Sequence, residues 1–237
     1  MAALSERQRE ILKTVTTATV TTLLLKQAIR RTWMMGPKPL IEGADRVVGE
    51  AFTLRFVPMR EDLATPQSWA GPRSTRAAIE EMPQGSIAVA DAMGIAEAGI
   101  FGDILVERMK QRGVTALVTD GVMRDGAGVM QVGLPVWCNG TAAPPSIAGL
   151  TFAGWQEPIG CGGVAVFPGD VVLADGDGAV VIPPALVDHV CTAGPEQEQL
   201  EAWLHREVKQ GARLPGLYPP NDETRARYEA WKSNRGT

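Results

Sequence analysis

Hydrophobic and polar positions change period several times along the chain, and the changes mark out its elements. Ser5 followed by Gln8 has the form of a capping box and opens a short helix carrying Ile11, Leu12 and Val15. Leu24, Leu25, Ala28, Ile29 and Trp33 recur at helical spacing, which predicts a second helix over 22–34 that Gly36-Pro37 ends. Residues 47–57 (VVGEAFTLRFV) alternate as a strand does, and Pro58 stops them. The Pro-rich polar stretch 59–72 has no period and reads as a surface excursion over a partner or the site, before a short helix at 74–81.

The middle of the chain is more regular. SIAVADA (86–92) predicts a buried strand, and Gly94, Gly99 and Gly102 then make a flexible loop. A helix follows over 104–112, with Asp103 as its N-cap and Gly113 just past its end. VTALVT (114–119) is the next buried strand, turned by Asp120-Gly121. Strand, helix and strand at this spacing form a βαβ unit with a right-handed crossover. Short strands are expected at 134–138, 163–167, 171–174 and 179–182, the last two joined through the hairpin signal Asp175-Gly176-Asp177-Gly178. Pro183-Pro184 stops the last of them. A helix over 195–210 carries Leu200, Trp203 and Val208, and a final short helix from Asp222 has Tyr228 and Trp231 on one side.

Composition narrows the class. With 45% hydrophobic and 21% charged residues the chain is globular rather than disordered, and its 26 glycines and 17 prolines fit many turns. A formal charge of −4, with Arg30-Arg31 as the densest basic patch, argues against a nucleic-acid binder. Cys138, Cys161 and Cys191 form no CxxC and read as reduced, mostly buried thiols. MAALSERQRE lacks an apolar stretch behind a basic start, and no apolar run approaches the ~20 residues of a membrane span. A cytoplasmic protein with no membrane partner is expected. His189 and His205 lie in no metal or nucleophile pattern. Asp175-Gly176-Asp177-Gly178 lacks the glutamate that would close a calcium loop. GxSxG, P-loop and GxGxxG signatures are all missing.

Candidate chemistry gathers at one edge of the βαβ unit. The carboxyl ends of its strands and the start of its helix share that edge, where open α/β sheets bind ligands. The backbone amides of Gly99, Ile100, Phe101, Gly102, Asp103 and Ile104 lie at a helix start, suited to a carboxylate. A helix of about nine residues, near 13 Å, almost matches its return strand, so Asp103 and Arg124 fall side by side. Arg124 suits a substrate carboxylate or enolate bidentately. Asp103 and Asp125 are hard oxygen ligands for Mg²⁺ or Mn²⁺, and a metal chelated by a 2-keto acid stabilises the enolate left when a C–C bond breaks. Taken singly, Asp103 also fits a plain N-cap, and Arg124-Asp125 a surface turn with an ion pair.

GDILVERMKQRGVTALVTDGVMRD (102–125) resembles the signature of the RraA-like family, which includes 4-hydroxy-4-methyl-2-oxoglutarate/4-carboxy-4-hydroxy-2-oxoadipate aldolases and regulators of ribonuclease E. The similarity continues through GLPVWCNGT (133–141) and FPGDVVLADGDGAVVIP (167–183), and back to VVGEAFTLRF (47–56). It covers most of residues 20–211. Its most specific element is Asp103, twenty residues (104–123), then Arg124-Asp125. The fold expected is a single α/β domain of the swivelling β/β/α, phosphohistidine-domain-like kind with terminal helices. Its core spans about 20–192, and the C-terminal helix and tail span 193–237.

The resemblance implies a homotrimer, or a hexamer of trimers, with sites at subunit interfaces. It implies Asp125 holding Mg²⁺ partly through water, and Arg124 binding the pyruvate moiety and stabilising the enolate. The amides of 99–104 would cradle the carboxylate, and Asp103 would position a metal-bound or catalytic water. A C-terminal carboxylate arrives from a neighbouring subunit; Glu201 aligns best, and Glu198 is the second choice. One position departs from the pattern. Aldolases of the family carry Glu or Asp three residues after the Arg-Asp aspartate, where this chain has Gly128. Oxaloacetate decarboxylation needs only metal and enolate stabilisation, so it stands beside retro-aldol cleavage as the expected activity. A non-catalytic ribonuclease regulator, and a dehydratase or hydrolase of sugar-derived keto acids, are the alternatives.

Overall fold

The computed structural model describes residues 4–234, so Met1–Ala3 of the N-terminal segment lie outside the described residues. In chain order its elements are α1 (Glu6–Leu12), α2 (Thr17–Lys26), β1 (Lys38–Pro39), β2 (Val47–Pro58), α3 (Thr75–Glu81), β3 (Ile87–Asp91), α4 (Asp103–Gln111), β4 (Ala116–Thr119), α5 (Gly126–Val132), β5 (Val136–Cys138), β6 (Leu150–Trp155), β7 (Val171–Asp175), β8 (Gly178–Ile182), α6 (Val187–Lys209) and α7 (Asp222–Ser233). The strands form one sheet in the order β1-β5-β4-β3-β2-β7-β8, with β6 on β2. Strands β5, β4, β3 and β2 run parallel, while β1, β6, β7 and β8 join antiparallel. Trp33, just before β1, bridges Val180 of β8, so the two ends of the sheet meet in a nearly closed barrel. No helix among the described residues is long and apolar enough to cross a membrane.

Period-two alternation sends the side chains of each strand into different cores. Ile87 and Val89 of β3, Ala116 and Val118 of β4, Val172 and Ala174 of β7, and Ala179 and Val181 of β8 fill the barrel interior with Trp137. Ala88, Ala90 and Leu117 face outward to Met82, Val106, Met109 and Val129, contributed by the α3–α5 layer. Leu173, Val180 and Ile182 face a third core with Leu12, Val20 and Leu24 of α1 and α2. Both faces of these strands are therefore covered, and the apolar runs of the sequence are nearly continuous for that reason. Trp137 is fully buried, and its indole N–H donates to the Asp175 carbonyl at 2.7 Å. Trp137→Ala is expected to cost about 3–5 kcal/mol, measurable as a lower urea midpoint.

Several boundaries differ from the sequence reading. The helix expected over 22–34 starts at Thr17, capped by Thr16, and ends at Lys26, because Ala28 turns into the left-handed region (φ 63°). The strand expected over 163–167 is a 3-10 turn at Cys161–Gly163 followed by a single bridge from Ile159 to Val166, since Gly162 and Gly163 both take positive φ. The C-terminal helix begins at Val187, not 195, and runs through Pro195. Its first half is held by tertiary packing: Val187 and Val190 join the α1–α2 core, and a Cβ on Gly194 would stand 2.6 Å from Val15. Three elements, β1, α5 and β6, had no sequence expectation. The 59–72 excursion folds back with β6 and Ser146-Ile147 around a cavity of about 430 Å³, lined by Leu63, Trp69 and Phe152.

Candidate active site

Beyond the carboxyl ends of β3, β4 and β5 the chain continues the ladder instead of fraying. Gly99 bridges Val122 and Pro145, and Met123 bridges Thr141. The amides of Ile100, Met123, Arg124 and Ala142 donate to the carbonyls of Val122, Gly140, Phe101 and Met123 at 2.8–3.0 Å. Ile100 and Phe101 bury their side chains in the core beneath, anchoring this platform. A platform tied on both sides gives its side chains the fixed geometry that a reaction centre needs.

Three side chains converge on it, each against a bare glycine. A Cβ on Gly99 would stand 2.7 Å from the Arg124 backbone nitrogen and against its side-chain Cγ. A Cβ on Gly102 would stand 2.6 Å from Asp125 Oδ2. Asp103 lies equally close to Gly128 of α5. Through these glycines Arg124, Asp125 and Asp103 lie along the edge where α4 and α5 begin. Asp125 is the N-cap residue of α5 and sits in the left-handed region (φ 49°, ψ 44°), which Asp tolerates better than most residues. Arg124 is half-buried, and its Nε is buried with no hydrogen-bond partner.

Two details correct the sequence reading. Asp103 is not the N-cap of α4 but its first helical residue; Gly102 caps, and no side chain does so. Asp103 Oδ1 accepts instead from its neighbour Ile104 N at 2.7 Å. The amide cradle is also narrower than six residues. Gly99 N is committed to the Pro144 carbonyl, Ile100 N to Val122 and Ile104 N to Asp103. Phe101, Gly102 and Asp103 keep amides that take no acceptor among the described residues. These three amides are the ones left open at the α4 start.

The C-terminal carboxylates are elsewhere in this chain. Glu198 Oε1 accepts from Thr16 N and Oγ1 at 2.7 and 2.8 Å, so it fastens the start of α2. Glu201 accepts from Gln197 at 2.8 Å and lines a small cavity with Leu204, His205 and Tyr218. Among the described residues no three His, Cys, Asp or Glu side chains gather to hold a metal. Cys138 and Cys161 are buried and Cys191 partly so; burial raises all three thiols, which suits core residues rather than nucleophiles.

Two aspartates that the sequence reading did not place at the site, Asp91 in the expected strand 86–92 and Asp120 in its turn, brace the same edge. Asp91 ends β3 and accepts from Met93 N and Gly160 N. Asp120 follows β4 and accepts from Ala92 N at 2.8 Å and Gly162 N at 3.0 Å. The signal available was a carboxylate at each strand end beside glycine-rich loops. Desolvation raises the Asp120 carboxyl above the usual range despite its amide donors. Asp120→Asn keeps one acceptor and is expected to lose about 1–3 kcal/mol. A raised acid holds its proton more tightly folded than unfolded, so wild-type stability relative to Asp120→Asn grows as pH falls from the raised value toward the ordinary one. Urea melts of both proteins across that range check the sign.

Fold and site together define an α/β protein with a guanidinium, two carboxylates and free helix-start amides on one rigid sheet edge. The family model RraA-like (Aldolase/RraA) matches residues 14–181, and the chain belongs to that family. A provisionally named 4-hydroxy-4-methyl-2-oxoglutarate aldolase of Halalkalibacterium halodurans is 33% identical over 153 residues, 65% of this chain and 67% of that protein. The crystal structure of Streptomyces coelicolor RraAS2, described as an unusual member of the RNase ES inhibitor RraA protein family, is 35% identical with a TM-score of 0.76, covering 86% of this chain and 98% of that one. The RNA-processing inhibitor RraA from Thermus thermophilis is 26% identical with a TM-score of 0.50, covering 69% and 92%. The family thus spans proteins named for carbon–carbon lyase activity and proteins named for ribonuclease inhibition.

Proposed function

We propose that this chain is a divalent-metal-dependent lyase of 2-keto acids, cleaving a 4-hydroxy-2-keto acid to pyruvate or decarboxylating oxaloacetate. The observation that carries the reading is Arg124, a half-buried guanidinium whose Nε lacks a hydrogen-bond partner, on the same edge as Asp103, Asp125 and three free amides. A half-buried guanidinium with an unpartnered Nε keeps donors available for an anionic ligand.

The residues fit Mg²⁺ or Mn²⁺. Such ions take one or two carboxylates and keep several waters, and Asp125 is exposed at the site with Asp103 half-exposed beside it. Asp125 would hold the ion, with Asp103 behind a retained water. When bound, the ion supplies Lewis-acid polarisation of the keto group. The chain's own groups do the rest. The amides of Phe101, Gly102 and Asp103 would hold the substrate carboxylate at the α4 start. In retro-aldol cleavage the 4-hydroxyl proton leaves, the C3–C4 bond breaks, C4 becomes a carbonyl, and the electron pair passes to the C2 oxygen as an enolate. Arg124 would stabilise that developing charge, and Asp103 would orient the water that takes the proton. Protonation at C3 then releases pyruvate. Oxaloacetate would follow the same path with CO₂ as the leaving fragment.

A homotrimer or hexamer would bring Glu201 of a neighbouring subunit toward this edge. Pyruvate release from oxaloacetate and from several 4-hydroxy-2-keto acids, with and without EDTA, tests the reading. Turnover that EDTA abolishes and Mg²⁺ restores is expected; no release from any of them would overturn it. The likeness to RraAS2 supports a second reading, inhibition of a ribonuclease through the surface, which the same preparation tests in an RNA-cleavage assay.

A further inference from the structure

Glycine is the poorest helix former after proline, yet α5 (GAGVMQV) carries one in its interior at Gly128. Its backbone does not require glycine, since its φ lies outside the left-handed region where side chains are strained. What excludes a side chain is Asp103. A Cβ on Gly128 would stand 2.8 Å from Asp103 Oδ2 and 2.9 Å from Asp103 Cβ. The carboxylate oxygen can swing away, but Cβ moves only with the backbone of the first residue of α4. That backbone carries the Asp103 amide and adjoins Gly102, two of the three free amides of the cradle.

We infer that Gly128 is a positioning residue of this site. By lacking a side chain it lets α5 close on Asp103, and so sets both the carboxylate and the α4 start that carries the cradle. The inference rests on the lyase reading for its kinetic arm. It also accounts for the departure from the aldolase pattern: position 128 is filled from across the groove by Asp103, so it is not a place from which an acid has dropped out. Gly99 against Arg124 and Gly102 against Asp125 follow the same rule, one bare Cα for each functional side chain. Gly128 differs in coming from a helix, where it is not needed for a turn.

The test combines kinetics with crystal structures of the wild type and Gly128→Ala. Turnover of Gly128→Ala is expected to fall about 10- to 100-fold, as displacement of a reacting group by about 1 Å does. The crystal structure is expected to show Asp103 Cβ displaced and the rest of the sheet unmoved. In an Asp103→Gly background, where both clashing atoms are gone, adding Gly128→Ala is expected to change the residual rate less than about 2-fold. Gly128→Glu is expected to lower turnover too; a gain would mean that the glycine only marks a lost acid, and would overturn the inference. An unmoved Asp103 with wild-type turnover in Gly128→Ala would also overturn it. If Gly128→Ala does not fold, the Asp103→Gly/Gly128→Ala double variant is expected to fold, and its failure to do so counts against the inference. If the wild type cleaves no 2-keto acid, the lyase reading falls, and the crystallographic displacement of Asp103 alone decides for or against Gly128.

Discussion

Arg124→Ala is expected to lower pyruvate release by about 10²- to 10³-fold, the usual consequence of removing one preorganised charge stabiliser. Because Arg124 is asked to stabilise charge that develops during bond breaking, the loss should fall on kcat and kcat/KM together rather than on KM alone. Arg124→Lys should recover only a small part of it, since an ammonium offers a point charge where the guanidinium offers a planar fork. The fold should survive. Its Nε has no hydrogen-bond partner to leave orphaned, so the thermal midpoint should move little, within about 1 kcal/mol of stability. Initial rates with oxaloacetate and a 4-hydroxy-2-keto acid, beside circular-dichroism melts, make the comparison. Undiminished turnover in a folded Arg124→Ala protein would remove Arg124 from the proposed chemistry.

The second large effect concerns Asp125. Asp125→Asn preserves both the shape of the side chain and its tolerance of the left-handed backbone (φ 49°), while removing the anionic oxygen that suits a hard cation. Mn²⁺ affinity, read from the free-ion signal in electron paramagnetic resonance, is expected to weaken on the order of 100-fold, with turnover falling in parallel. Asp125→Ala should show the same loss of metal and, in addition, about 1 kcal/mol less stability, because alanine pays the left-handed strain more fully. Unchanged Mn²⁺ affinity in the Asn variant would place the ion elsewhere.

Much of the scaffold around this site was legible because local and long-range preferences agree there. The Ser5–Gln8 capping box, the β3–α4–β4 unit and the β7–β8 hairpin all appear where pattern and turn chemistry placed them. Where those preferences conflict, the pattern misled. GAGVMQV has too much glycine to read as a helix, yet it folds as α5 because α4 lies against it and Gly133 closes it in the left-handed region. LTFAGW reads as nothing regular because Gly154 interrupts it, yet β2 offers an open edge that its backbone pairs with. Pro195 reads as a helix start, yet the helix runs through it because Val187 and Val190 are held by the α1–α2 core.

The same division holds at the site. The sequence by itself determined that Asp103, Arg124 and Asp125 would share a sheet edge, because the length of a crossover helix and its return strand is set by residue count and backbone rise. Only the tertiary structure decided how they face one another: which amides stay free, that Asp103 begins α4 without capping it, that Glu198 is spent on α2, and that Gly128 makes room for a carboxylate 25 positions earlier (128 less 103). Those outcomes depend on close approaches between segments far apart in the chain. No local spacing encodes such an approach, because a missing Cβ acquires its meaning only from the atom that comes to stand against it.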